Sequence, residues 1–211
     1  MLYDKDIREP LFMYLEEKYA KCRIFEEKRM GRSRADVFLI TDKNFVGIEI
    51  KSDADTYTRL KNQVNDYDKY CDYNYVVVGS THAAHISEHV PPYWGIISVE
   101  EIENKVDFYT IREPALNPNA QIEPKLRFLW RPELAHIQEL NSMHMYKNKS
   151  KDFVTQKILS SVPEDILMTQ ICNELFERDY TIISDVIAKF RQEKGKKRRK
   201  ASNRVKKYRI K

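Results

Sequence analysis

Between residues 4 and 19 apolar side chains recur at Ile7, Leu11, Tyr14 or Leu15, and Tyr19, the spacing of one helical face, with Asp4 or Asp6 near the N-terminus. Pro10 is compatible with that helix if it lies in the first turn. Residues 22–27 read as a strand, followed by a Met-Gly-Arg-Ser-Arg turn and a strong strand over 35–41. The Asp42-Lys43-Asn44 turn leads into residues 45–51, so the three strands form an antiparallel meander. Asp55-Thr56 suits the cap of a helix whose face is Tyr57, Leu60, Val64, Tyr67 and Cys71. Residues 73–79 are a nearly continuous apolar run, as expected of a strand covered on both faces. A short helix near 83–88, a strand over 93–99 and a further strand near 106–111 complete the unit.

The order helix, three strands, helix, strand, helix, strand predicts a mixed α/β sandwich whose later strands are joined by helical crossovers. Three prolines in the eleven residues after Glu113 mark a connector, and helical patterning returns at 131–145, 150–161, 164–179 and 181–193. The expected organisation is a core over 1–113, an α-rich region over 114–193 and a tail over 194–211.

Composition sharpens this picture at the tail. Eleven of the 37 basic residues lie in 194–211, which has no acid; 26 bases against 32 acids remain before it, a net of −6. Such an arm is expected to be flexible when free and to hold nucleic-acid phosphate with little sequence preference. Two blander roles stay open, a solubilising tail or an arm folded back on the acidic body. The apolar runs fall far short of a membrane span, and the charged N-terminus is unlike a secretory signal. A cytoplasmic protein with no membrane partner is the expectation. Cys22, Cys71 and Cys172, odd in number and widely spaced, read as reduced, mostly buried small side chains.

The candidate chemistry centres on the meander. Strand alternation puts Val46, Ile48 and Ile50 on one face and Glu49 with Lys51 on the other, next to Asp36. Two carboxylates and a backbone carbonyl suit Mg²⁺, which keeps several waters and borrows phosphate oxygens from its substrate. A lysine beside them can orient water and offset charge developing on phosphate. The bland alternative is an exposed hairpin face with ordinary charges.

The stretches Arg34-Ala35-Asp36-Val37-Phe38-Leu39-Ile40 and Gly47-Ile48-Glu49-Ile50-Lys51-Ser52-Asp53 resemble the PD-(D/E)XK, or restriction-endonuclease-like, nuclease superfamily. The likeness covers about residues 4–99, with Ala35 standing where that superfamily usually has proline. More narrowly, Ile7-Arg8, Arg59-Leu60, Trp94-Gly95 and Leu129-Trp130-Arg131 look like a bacterial group within it that is often associated with mobile elements. The resemblance implies a restriction-endonuclease-like core, a Mg²⁺ ion with Mn²⁺ as substitute held by Asp36, Glu49 and the Ile50 carbonyl, and Lys51 as catalytic lysine. The leading expectation is a nuclease that hydrolyses the phosphodiester bonds of DNA in preference to RNA, two substrates that no motif in the sequence tells apart.

Gln63 and Tyr67, at i and i+4 on the next helix, resemble the Gln-x3-Tyr element of the RecB-like branch, which faces substrate near the metal; a solvated Gln and a core Tyr are the alternative. A further acid is customary near the metal. Glu9, Glu16, Glu26 and Glu27 are candidates, and Glu26 is favoured because it precedes Asp36 by ten residues and faces the same meander. His82, His85 and His89 share a helical spacing suited to a transition metal, but nothing nearby supports more than a surface or packing role. The rival function is a non-catalytic module that keeps the fold and binds nucleic acid or a protein partner. Endo or exo action, specificity and oligomeric state are not encoded in any motif.

Overall fold

The computed structural model describes residues 2–178. In chain order the elements are α1 (Asp4–Tyr19), β1 (Arg23–Met30), β2 (Ser33–Ile40), β3 (Phe45–Lys51), α2 (Leu60–Tyr70), β4 (Tyr73–Gly79), α3 (Ser80–Ala83), a 3-10 turn (Ile86–Glu88), β5 (Gly95–Ile102) and β6 (Lys105–Arg112). Four helices follow: α4 (Ile122–Leu126), α5 (Arg131–Leu140), α6 (Lys151–Ser161) and α7 (Glu164–Phe176). The strands form one open sheet in sequence order. β1, β2 and β3 are an antiparallel meander, β3, β4 and β5 run parallel, and β6 returns antiparallel at the edge. The fold is α/β, with a mixed six-stranded sheet and a helical C-terminal part.

Alternation assigns each strand residue to a layer. Val46, Ile48 and Ile50 of β3 join Val37 and Leu39 of β2 against Ile7, Leu11 and Leu15 of α1. Phe38, Ile40 and Phe45 belong to the opposite layer, with Leu60, Val64 and Tyr67 of α2 and with Leu134 and Ile171 of the C-terminal helices. Pro10 lies inside α1, not in its first turn. A proline there costs about 3 kcal/mol, yet Ile7, Leu11 and Leu15 are each fully buried and contribute roughly 1.5–3 kcal/mol apiece, so the helix persists.

Residues 1–176 make one compact unit; the chain from Glu177 belongs to a second, of which only Glu177 and Arg178 are described. The change from strand to helix follows Arg112, where the prolines lie, and the apolar core continues across it. Phe128 packs on Phe38, Phe45 and Tyr70 with ring centroids 5.4–5.9 Å apart. The buried Lys125 ammonium pairs with Asp72 at 2.5 Å, while the second Asp72 oxygen accepts the Phe45 N–H. α4 begins within the expected connector and runs past it, with Pro124 in its first turn, where its missing N–H leaves no bond unmade. The helix expected over 181–193 and the basic tail lie outside the described residues. None of Cys22, Cys71 and Cys172 is disulfide-bonded, and Cys71 and Cys172 are buried. Among the described residues no helix is long and apolar enough to cross a membrane.

Candidate active site

The paired register of β2 against β3 ends at Val37 and Ile48, and the next positions along the two strands are Asp36 and Glu49. There the Asp36 side chain replaces a backbone carbonyl and accepts the Ile50 N–H at 2.9 Å. Two carboxylates are thereby set side by side at the C-terminal end of a parallel strand, where α/β sheets place their ligand crevices. Lys51, two residues beyond Glu49, lies on the same face and its ammonium reaches Glu49 Oε1 at 2.6 Å. Glu49 and Lys51 are almost wholly buried, at 1% and 3% exposure.

α2 fixes this pair. Gln63 donates through its amide nitrogen to Glu49 Oε1 and accepts from Lys51 at 3.2 Å, bridging the two charges. Tyr67, one turn on, donates its hydroxyl to Glu49 Oε2 at 2.7 Å and accepts the Asp36 N–H at 3.2 Å. Burial, reinforced by the charges of Glu49 and Asp36, raises the Tyr67 hydroxyl well above its ordinary range, so it stays a donor. Gly47 makes this approach possible, because a Cβ there would lie 2.6 Å from the Tyr67 ring. Tyr67 is fully buried, so it meets Glu49 and the backbone and holds them in place, without the exposed hydroxyl that direct substrate contact requires.

Asp36 has a different environment. Burial first, and the Glu49 charge second, push its carboxyl up to about 7, against the opposing pull of the Ile50 N–H and Arg8. The Arg8 guanidinium reaches the Asp36 carboxylate at 3.5 Å and its carbonyl at 3.1 Å, and also pairs with Asp4 at 2.6 Å and Glu27 at 3.2 Å. The acid expected from β1 is displaced by one position. Met30 and Ser33 flank a two-residue loop whose Gly31 has φ +60, and counting back along that register sets Glu26 opposite Val37 and Glu27 level with Asp36. Glu27 therefore lines the cleft, whereas the Glu26 side chain is half exposed, outside the lining and 3.7 Å from Arg8.

The cleft in front of these groups has a volume of about 1040 Å³, and its walls are the start of α1, the β1–β2 hairpin tip, the end of β3 and one face of α2. Asp66 of α2 pins the hairpin tip by accepting the Ser33 N–H at 2.8 Å and its hydroxyl at 2.7 Å. Asp55 does not cap α2. It accepts the N–H and hydroxyl of Ser52, closing a turn after β3, and α2 begins only at Leu60. His82 and His89 pack on Tyr57 with tilted rings, centroids 5.0 and 4.2 Å away; His82 lies in α3 and His89 just after the 3-10 turn, so the two do not share one helical face. Among the described residues no set of three or more His, Cys, Asp and Glu side chains is gathered to hold a metal. Asp36 and Glu49 are two carboxylates, and Mg²⁺ is usually held by one or two when water and phosphate complete its shell.

Sequence reasoning did not find Arg8 as the partner of Asp36, nor the rim residues Arg32, Arg59, Asn62, Asn65 and Lys69. The available signals were the Asp4–Arg8 spacing of i, i+4 and the helical recurrence of 59, 62, 66 and 69.

No curated protein matches the chain at a significant level. A solved structure titled as that of Pyrococcus furiosus SfsA in complex with Ca²⁺ is similar at 15% identity, with a TM-score of 0.35, over 56% of this chain and 63% of that one. The chain thus spans less than two thirds of that protein's length, and the likeness is too slight to bear on the site. The family model described as bacteriophage P4 protein cII matches residues 3–202, nearly the whole chain. The chain belongs to the bacteriophage P4 protein cII family.

Proposed function

We propose that the chain is a Mg²⁺-dependent nuclease of the PD-(D/E)XK kind that hydrolyses DNA phosphodiester bonds. The observation that carries this reading is the register of β2 and β3, which sets Asp36 beside Glu49 with the Lys51 ammonium between Glu49 and Gln63. Two neighbouring carboxylates, one with its acidity strongly suppressed, are the chemistry a divalent cation relieves. Asp36, Glu49 and the Ile50 carbonyl would hold Mg²⁺, or Mn²⁺ in its place. When bound, the cation supplies Lewis-acid charge against the scissile phosphate.

The chain's own groups divide the remaining work. Lys51 has three N–H donors, of which Glu49 and Gln63 engage two. The third is left for a phosphate oxygen or the attacking water, where a fixed positive charge favours the transition state. Tyr67 and Gln63 keep the Glu49 oxygens in fixed directions, so little reorganisation accompanies the reaction. Arg8 holds Asp36 from the opposite side.

Calorimetry of the full chain with Mg²⁺ and Mn²⁺, with and without DNA, separates this enzyme from a binding module that retains the fold. Binding that is lost in Asp36→Asn supports the enzyme; no binding of either ion under any condition supports the module.

A further inference from the structure

The six acids and six bases that line the cleft are engaged very differently. Every acid has a partner inside the protein: Asp36, Glu49, Asp55 and Asp66 as described, and Asp4 and Glu27 on Arg8. Among the bases, Arg8, Arg34 and Lys51 are paired with these acids. Arg32, Arg59 and Lys69 are exposed, and their side chains have no ion-pair or hydrogen-bond partner among the described residues. The side-chain amides of Asn62 and Asn65, on the same wall, are exposed and equally unengaged.

These groups form a line. Arg59, Asn62, Asp66 and Lys69 follow at helical spacing, so they share one stripe of α2 and its first flank. Arg59 precedes Gln63 by one turn and Lys69 lies beyond it, which puts unneutralised charge on both sides of the residue that bridges Glu49 and Lys51. Asp66 brings the hairpin tip to the same stripe by accepting the Arg32 N–H at 3.1 Å. Ten helical residues span about 15 Å, close to the rise of about four nucleotides of a B-form strand. A single small anion would occupy only part of that length.

We infer that Arg32, Arg59 and Lys69, with Asn62 and Asn65, form a rail for the phosphodiester backbone of a nucleic-acid strand, leading it across the Asp36, Glu49 and Lys51 centre. The rail rests on the nuclease reading for what happens to the strand, and on the unengaged cations alone for the binding. Phosphate is recognised by charge and hydrogen bonds without base readout, so the rail positions the strand and leaves sequence unread.

The test uses the full chain in chelator, so that binding is observed without turnover. Arg32→Gln, Arg59→Gln and Lys69→Gln are combined, and a control combines Lys43→Gln, Lys105→Gln and Lys147→Gln, exposed lysines outside this cleft. Fluorescence anisotropy on labelled single-stranded DNA, duplex DNA and RNA is measured over a salt series. Three lost phosphate contacts reduce the slope of log K against log salt by about 2 on single strands and about 3 on duplex. The rail variant should show that loss and the control a change below about one, while both keep the wild-type melting temperature. The strand type whose loss reaches its full expected value is the one the rail carries. The basic tail is present in every variant, so its contribution is common to all. A rail variant whose slope matches the control overturns the inference, and if the wild type still cleaves DNA with Mg²⁺, the nuclease reading survives without the rail. A reduced slope in a chain that cleaves nothing with either metal upholds the rail and removes the nuclease.

Discussion

Replacing Asp36 by asparagine should make the metal-free protein more stable at alkaline pH. In the folded chain burial and the Glu49 charge push the Asp36 carboxyl up to about 7 from its ordinary value of 3.8. Between about pH 4 and pH 7 the folded protein therefore holds a proton that the unfolded chain has released, and stability falls as pH rises through that window. The contribution is intact below the unfolded value and fully lost above the folded one. Roughly three pH units at about 1.36 kcal/mol each set the loss at no more than about 4 kcal/mol. The replacement amide keeps an oxygen for the Ile50 N–H and removes the charge. In chelator the variant should match wild type near pH 4 and exceed it near pH 8 by up to about 4 kcal/mol. Added Mg²⁺ should close the gap, because only wild type retains both carboxylates: a ligand at about a hundred times its Kd stabilises by about 2.7 kcal/mol, and at about a thousand times by about 4.1 kcal/mol. Urea unfolding followed by circular dichroism from about pH 4.5 to pH 8, with chelator or Mg²⁺, measures both effects. A variant less stable than wild type at pH 8 in chelator, or one with the wild-type pH slope, would refute the reasoning.

Tyr67→Phe leaves Glu49 Oε2 and the Asp36 N–H without their partner and should cost about 1–3 kcal/mol in urea unfolding, with weaker Mg²⁺ binding by calorimetry. Lys51→Met keeps the apolar stem but strands the buried Glu49 charge. It should lose about 3–5 kcal/mol in chelator and recover part of it with Mn²⁺, while turnover on DNA stays absent. Pro10→Ala restores the missing donor inside α1 and should raise stability by up to about 3 kcal/mol, read from the urea midpoint; a lower midpoint would show that packing of the proline ring dominates.

Periodicity carried the elements whose burial is one-sided or complete. α1 and β4 occupy the spans their apolar patterns indicate, and β3 sends Glu49 and Lys51 to the α2 side because its alternate residues are needed against α1. The start of α2 was not legible, since Asp55 satisfies Ser52 as readily as it would cap a helix, and only the packing of Leu60 and Val64 decides where the helix begins. The choice between Glu26 and Glu27 depended on one residue of register, which the Gly31 turn sets and spacing from Asp36 does not. Tyr67 fitted both the core and the site; its ring is core and its hydroxyl reaches Glu49, because Gly47 lets the ring lie flush on β3. Arg8 was invisible as an Asp36 partner because that contact joins residues 28 apart in sequence.

Whether Asp36 and Glu49 form a cation-dependent hydrolytic centre is tested most directly by incubating the full chain with linear and circular, single- and double-stranded DNA in Mg²⁺, Mn²⁺ or chelator, beside Asp36→Asn. The expected result is strand scission by wild type that requires the metal and disappears in Asp36→Asn. Scission that persists in chelator or is undiminished in Asp36→Asn, or intact DNA after incubation with both metals, would contradict it.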